Sequence, residues 1–393
     1  SLGLFQPTKI AIRTLIHVIL IFALSTFYLA RRLVPKGSSQ LFKVPAWLLI
    51  LVLSASLPLY LLTRLNRGDI APWQANGITY GMGFFSFLLT FTVLRDLGWL
   101  LFKRSAWHKN TSTERREFLR NSSRIGVFGL TTAVFGNAAH NALANPTLHR
   151  VKVAIKDLPP ELEGFSIAQI SDVHVGQLKN QTEYVQHIVQ TVNAANADMV
   201  AVTGDIVDGS VARLMADVAP LAGLKGKLGT FFVTGNHEYY SGAPEWIEHF
   251  KTLGWQVLQN EHQVVPIGAH NIVVAGVHDL KAGERIPAHA CNPAQAVAGA
   301  PADAALTLLL AHHPSTAELI DGLNIDLQLS GHTHAGQYFP ATWIVQWVHP
   351  YSQGLNRRND SQIYVNSGTG YWGPALRTTD VVGEVTLLTL TRA

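Results

Sequence analysis

Charge is scarce in this sequence: Asp, Glu, Lys and Arg make up 14% of its 393 residues, against roughly 25% in an ordinary soluble domain. So few charges over such a length lead us to expect that part of the chain faces lipid. Cysteine is nearly missing, and the single Cys291 excludes an internal disulfide and any thiolate metal cluster. A basic groove interleaved with aromatic residues is missing too. The first 124 residues hold 16 Lys and Arg against 4 Asp and Glu, and the remainder 14 against 22. The formal charge of +4 therefore hides an acidic C-terminal part, and no nucleic-acid partner is expected.

What the N-terminal part does have is long apolar runs. Segments 10–30, 44–62 and 78–102 each reach the roughly 20 residues a bilayer crossing requires. Arg95 and Asp96 near the end of the third imply that this span stops early or pairs those charges within a bundle. A fourth segment, 125–144, is richer in Gly, Ala and Thr and contains Asn137, His140 and Asn141. Basic residues gather between the first two spans (Arg31, Arg32, Lys36, Lys43) and after the third (Lys103, Arg104, Lys109, Arg115, Arg116, Arg120, Arg124). The link between spans two and three carries Arg64 and Arg67 beside Asp69. Both basic loops are accordingly expected in the cytoplasm. The stretch Thr113-Glu114-Arg115-Arg116-Glu117-Phe118-Leu119-Arg120 resembles a twin-arginine export signal; read otherwise, it is a basic loop before an ordinary fourth helix. Either reading carries residues 150 onward to the outer side of the membrane. The chain is thus expected to divide into a membrane region, 1–145, and a second domain, 150–393.

In the second part, short apolar runs of strand length alternate with helical stretches, and each run ends in metal-type ligands. Run 165–170 leads into Asp172-Val173-His174, run 199–202 into Gly204-Asp205-Ile206-Val207-Asp208, and run 230–233 into Gly235-Asn236-His237-Glu238. Run 306–310 leads into His312-His313-Pro314, and run 325–329 into Gly331-His332-Thr333-His334. Loops at the carboxyl ends of strands in α/β folds converge on one crevice. Asp172, His174, Asp205, Asn236, His312, His332 and His334 form a mixed oxygen and imidazole set larger than one ion needs. Two adjacent ions would use it, and without thiolates it suits Mn, Fe, Zn or Ni. His278-Asp279, after run 272–277, is a further candidate for the crevice. Of His312 and His313 only one can easily face the metals, since successive residues of extended chain point opposite ways. The ten histidines outside these motifs, His289 and His349 among them, read as structural or surface residues. Trp343, Trp347, Tyr371 and Trp372 read as an apolar lip near the membrane or as core.

The ordered series Asp-x-His, Gly-Asp-x-x-Asp, Gly-Asn-His-Glu, His-x-Pro and Gly-His-x-His resembles the calcineurin-like metallophosphoesterase superfamily, over nearly all of residues 150–385. Three stretches, Gly235–Gly242, Gly331–Gln337 and Ser367–Gly373, are similar to its bacterial, membrane-associated, twin-arginine-exported branch. The resemblance implies an α/β fold, a four-layer αββα sandwich, here preceded by an all-α transmembrane bundle. It implies that Asp172, His174 and His334 hold one divalent transition-metal ion and Asn236, His312 and His332 a second, with Asp205 bridging. A metal-bridging hydroxide would attack phosphorus, and His237 would protonate the leaving alkoxide. Asp208 and Glu238 would orient histidine rings. Arg357, Arg358 and Arg377 are candidates for the substrate phosphate.

The activity implied is that of a phosphodiesterase or phosphomonoesterase, with a lipid-linked phosphate ester conceivable from the membrane address. The alternatives are a pyrophosphatase of a nucleotide-linked or lipid diphosphate and a non-catalytic membrane sensor of a phosphorylated ligand. The expected location is the bacterial cytoplasmic membrane, multi-pass, with the catalytic domain outside. The sequence does not show an oligomeric state.

Overall fold

A computed structural model describes residues 9–65, 72–104, 111–176, 181–374, 376–378 and 383–393. Arg67, Asp69, His108 and Lys109 lie outside the described residues. The chain divides into two units, Ser1–Ala139 with Gly373–Ala375, and His140–Trp372 with Leu376–Ala393.

The four apolar segments fall on four helices: α1 (Lys9–Leu33), α2 (Gln40–Leu65), α3 (Pro72–Arg104) and α4 (Thr113–Leu143). They share a core in which Leu29, Leu33, Ile50, Phe85, Leu88 and Val127 are buried. Many of their leucines, among them Leu24, Leu48, Leu97 and Leu101, face outward. Asp96 does pair within this unit: it takes the Arg32 Nε at 2.7 Å, the Arg95 Nη2 at 2.7 Å and the Tyr28 hydroxyl at 2.7 Å. The expected four-span bundle is reduced. Among the described residues two stretches, Ile16–Leu33 and Asn76–Arg104, are long and apolar enough to cross a membrane, and the apolar part of α2, Gln40–Ser56, is shorter. α4 falls short because it opens on a charged first half, with Arg115 and Arg116 in its first turn, and closes on Asn137, His140 and Asn141.

The second unit is built from strands that alternate between two cores. β1 (Thr147–Ile155), β2 (Ser166–Ile170), β3 (Met199–Val202), β4 (Thr230–Phe232) and β5 (Gln256–Val257) form a first sheet, with β12 (Glu384–Arg392) inserted to give the order β1-β12-β2-β3-β4-β5. β6 (Glu261–Ile267), β7 (His270–Gly276), β8 (Leu306–Leu310), β9 (Leu327–Ser330), β10 (Gly354–Arg358) and β11 (Ser361–Val365) form a second, ordered β10-β11-β9-β8-β7-β6. The twofold side-chain period of a strand shows how the sheets meet. Ile167, Met199, Ala201 and Phe231 of the first sheet share a core with Ile272, Val274, Leu308 and Leu329 of the second. The intervening Ala168, Val200, Val202 and Phe232 pack outward onto Val185, Ile188, Trp246 and Phe250 of the helices Gln181–Ala194 and Ala243–Thr252. Val273, Ala275 and Leu309 turn outward onto Ala296 and Ile320. The result is a mixed α/β sandwich of two sheets. Within it β2, β3 and β4 run parallel, as do β7, β8 and β9, and the five site motifs follow the carboxyl ends of β2, β3, β4, β8 and β9.

Candidate metal centre

Two glycines let the site loops close up. A Cβ on Gly235 would collide with the Asp205 carboxylate, and one on Gly331 with Ser171 and the Asp172 carboxylate. The ligand candidates themselves take the left-handed backbone region: Asp172 (φ 53°), His174 (52°), Asp205 (55°), His332 (73°) and His334 (49°). Asp and His enter this region more readily than most residues, yet each such position still costs about 1–3 kcal/mol and persists only where its surroundings enforce it.

Around Asp172, the His334 Nε2 lies 3.3 Å and the His174 Nε2 3.9 Å from Oδ1, and the two Nε2 atoms are 3.1 Å apart. The His332 N–H donates to the same carboxylate. Around Asp205, the His312 Nε2 lies 3.1 Å from Oδ2. The His332 Nδ1 sits 3.2 Å from His312 Nε2 and 3.0 Å from Asn236 Oδ1. Asp172, His174 and His334 make one set whose ligand atoms all fall within 4.8 Å, and Asp205, His312 and His332 another. A third set, unforeseen from sequence, is His174, Asp208 and His237. Asp208 accepts from both rings, His174 Nδ1 at 3.1 Å and His237 Nδ1 at 2.5 Å.

These residues fit divalent cations on the chemistry of their donors. His174 gives its Nδ1–H to Asp208, and His312 gives its Nδ1–H to the Thr203 carbonyl at 2.8 Å. Each ring is thereby fixed in the tautomer that leaves Nε2 bare and turned inward, as metal-binding histidines require. Burial alone would raise the Asp172 carboxyl, but the surrounding histidines, His334 foremost, hold it well below the usual carboxylate range. Burial likewise opposes charge on Asp205, and His312 and His237 overcome it. Burial pushes His334 down to about 4 and His332 well below its ordinary value. Burial opposes charge on His312, but the Asp205 carboxylate beside it holds that ring well above its ordinary value. Two buried carboxylates kept ionised among imidazoles are a cation site in waiting.

Several expectations need correction. Glu238 was expected to orient a histidine ring. Its carboxylate instead accepts the backbone N–H groups of Asp205, Ile206 and Gly235 at 2.7–2.8 Å, clamping the β3 loop to the β4 loop. Burial, then the charge of Asp205, pushes it up to about 8. Arg358 does not face the site: on the edge strand β10 it forms a two-pronged pair with Asp321. Its neighbour Arg357, mostly exposed, caps the Asn359 carbonyl. Arg377 is buried, and its Nη2 donates to the carbonyls of Ser367, Gly368 and Gly370. It therefore braces a loop whose Thr369 and Gly370 N–H groups hold the Ser171 and Asp172 carbonyls.

His278 turns its Nδ1 to the Tyr239 hydroxyl (2.9 Å), which also meets His289 Nδ1 (2.9 Å). This network stands behind the helix Asn236–Ser241 and outside the three ligand sets. His313 accepts the Ser315 N–H and lays its ring 4.3 Å from that of His332, and His349 lies 5.7 Å from His313. Neither His289 nor His349 had a motif to betray it. Tyr371 is buried, whereas Trp343 and Trp347 are exposed.

The pattern of the Calcineurin-like phosphoesterase family matches residues 165–336, from β2 through the loop after β9. A Danio rerio transmembrane protein with metallophosphoesterase domain is 36% identical over 303 residues, 74% of this chain and 67% of that protein. An uncharacterised metallophosphoesterase of Helicobacter pylori is 35% identical over 319 residues, 79% of this chain and 80% of the relative. The chain belongs to the calcineurin-like phosphoesterase family. A further metallophosphoesterase, from Campylobacter jejuni, is 29% identical over 367 residues, 92% and 93% of the two chains, so the likeness extends into the N-terminal helices. As a metallophosphoesterase the chain is a hydrolase of phosphate esters, and the family's dependence on metal agrees with the buried His and Asp sets.

Proposed function

We propose that this metallophosphoesterase is a dinuclear enzyme, a phosphodiesterase or phosphomonoesterase. Asp172, His174 and His334 would hold one ion, Asn236, His312 and His332 the other, and Asp205 would serve both. The supporting observation is the pair of separate buried ligand sets, linked by the Asp172 carboxylate accepting the His332 N–H. Two divalent cations supply charge to offset that of the phosphoryl group and to acidify a water. His237 gives its proton to the leaving oxygen, and Asp208, hydrogen-bonded to its Nδ1, fixes the ring for that transfer. Metal analysis alongside turnover of phosphomonoesters, diesters and diphosphates tests the reading. Activity with a single bound ion per chain would refute it.

We also propose a membrane address: the bacterial cytoplasmic membrane, with the catalytic unit outside and a lipid-linked ester within reach. The apolar stretches Ile16–Leu33 and Asn76–Arg104, the name of the Danio rerio relative and the exposed Trp343 and Trp347 favour it. The Arg115-Arg116 pair is then the export signal. Protease digestion of intact spheroplasts should remove the catalytic unit; full protection would place it inside.

A further inference from the structure

The helix Ala341–Val348 carries its bulk on the outside. Trp343 is 69% exposed, Ile344 55%, Trp347 89% and Val348 61%, whereas Thr342 is buried. Positions 343 and 347, like 344 and 348, repeat at the four-residue spacing of one helix face. Trp343 is steadied from below by Phe339, whose ring meets its own edge-on at 4.9 Å. The apolar face is therefore ordered, yet none of its side chains is covered.

Both ends of this helix are tied to the metal-ligand loop after β9. At its start the Gln337 N–H donates to the His334 carbonyl at 2.8 Å, and the Thr342 N–H to the Tyr338 carbonyl at 3.1 Å. At its end the His349 N–H donates to the Val345 carbonyl at 2.8 Å, and the His349 ring stands 6.2 Å from that of His332. Just beyond, the Ser352 carbonyl accepts the Thr333 hydroxyl at 2.5 Å. Thr333 lies between His332 and His334, so the helix belongs to an excursion that leaves the metal centre and returns to it.

An uncovered apolar face of this kind marks a contact surface, and three features select lipid as its occupant. Tryptophan gathers where hydrocarbon meets headgroups, its ring amphipathic like the boundary itself. Residues 327–359 contain no Asp or Glu, the longest such stretch after residue 150 in a part of the chain that is otherwise acidic, so no carboxylate there repels anionic headgroups. The same chain carries Ile16–Leu33 and Asn76–Arg104, each long and apolar enough to cross a bilayer. A stable protein partner, by contrast, takes about 20–30 residues a side, far more than this face offers.

We propose that the helix Ala341–Val348 lies in the bilayer surface, with Trp343, Ile344, Trp347 and Val348 immersed, and so holds the metal centre at the level of the lipid headgroups. This rests on the membrane address given above and adds to it, because spans alone would retain the chain while leaving residue 347 in water.

The test uses the full chain in nanodiscs of phosphatidylethanolamine and phosphatidylglycerol, with Cys291→Ala removing the native thiol. An NBD fluorophore is attached in turn to Ile344→Cys, Trp347→Cys, Gln346→Cys and Lys225→Cys, the last on an exposed loop before β4. The apolar face of a surface helix sits about 5–10 Å into the headgroup boundary, so brominated acyl chains should quench the labels at 344 and 347 about twofold, spare the one at 225 and leave 346 between. Labels at 344 and 347 quenched no more than that at 225, in chains that have entered the discs, would overturn the immersion and leave the address standing. A chain that enters no disc would overturn both. Self-association through the helix would instead show as emission that rises with chain concentration in detergent and ignores bromination, and it too would overturn the proposal. None of these readouts depends on metal content or turnover.

Discussion

His174 and His334 point their Nε2 atoms at each other across 3.1 Å, above the Asp172 carboxylate. Nothing in the packing of apolar groups brings two imidazole edges together in this way; a shared cation does. Metal removal should therefore cost stability. With free metal at about a thousand times its dissociation constant, binding contributes about 4 kcal/mol. For a domain of this size each kcal/mol moves the melting temperature by about 2–4 °C. Calorimetry before and after chelation should show a fall of about 10 °C, reversed by Mn or Zn. A melting temperature indifferent to chelation would count against the site.

Asp208 and His237 separate by kinetics. His237→Ala should lower kcat by about 10²–10⁴-fold, the usual worth of a positioned proton donor, with metal content unchanged. Asp208→Asn disturbs two rings, that of His174, a proposed ligand, and that of His237, the proposed proton donor. It should lower activity about 10–100-fold and weaken metal retention as well. If His237→Ala sheds metal, that ring is a ligand and not the acid.

Arg377 offers a contrast between fold and substrate. As a buried cation on three loop carbonyls, it should matter to stability: Arg377→Met leaves buried acceptors unsatisfied and should cost about 1–3 kcal/mol, read from urea denaturation. A variant of normal stability with a raised KM would restore Arg377 to the substrate.

The His278, Tyr239 and His289 network gives a pH dependence with a definite sign. Burial, then the nearby His289, pushes His278 down to about 4 from its ordinary 6.5. The unfolded chain then binds a proton that the folded chain refuses, so stability is intact above about 6.5 and falls as pH drops toward 4. The slope stays below the full ~1.4 kcal/mol per pH unit, because the group is only partly screened from water. Urea midpoints at pH 6.5 and 4.5 should differ less in His278→Gln than in the parent protein. Equal differences would remove His278 from the acid response.

The metal-type loops were legible because each pairs a strand-length apolar run with a polar tip, and the period of two survives in the structure: Val200 and Val202 face one core, Met199 and Ala201 the other. The edges were harder to read. β10 carries Arg357 and Arg358 in an alternating pattern that looks the same whether its exposed face meets substrate or solvent, and their local partners Asp321 and Asn359 decide the matter. Glu238 misled through sequence adjacency to His237: at the third position of a short helix, its carboxylate is drawn to backbone N–H groups by the capping geometry. Apolar length overstated the spans, since α4 holds its charges and amides at its two ends.

Five of the seven ligand candidates occupy a conformation that most side chains avoid. Mutational drift at those positions meets two filters at once, one for donor chemistry and one for tolerance of a left-handed bend. Alanine or a β-branched residue fails both, while Asn passes the second and keeps an oxygen donor. Where a descendant of this protein loses its reaction, Asn should therefore be the residue that replaces Asp172 or Asp205, and the mould of the centre should outlast its activity.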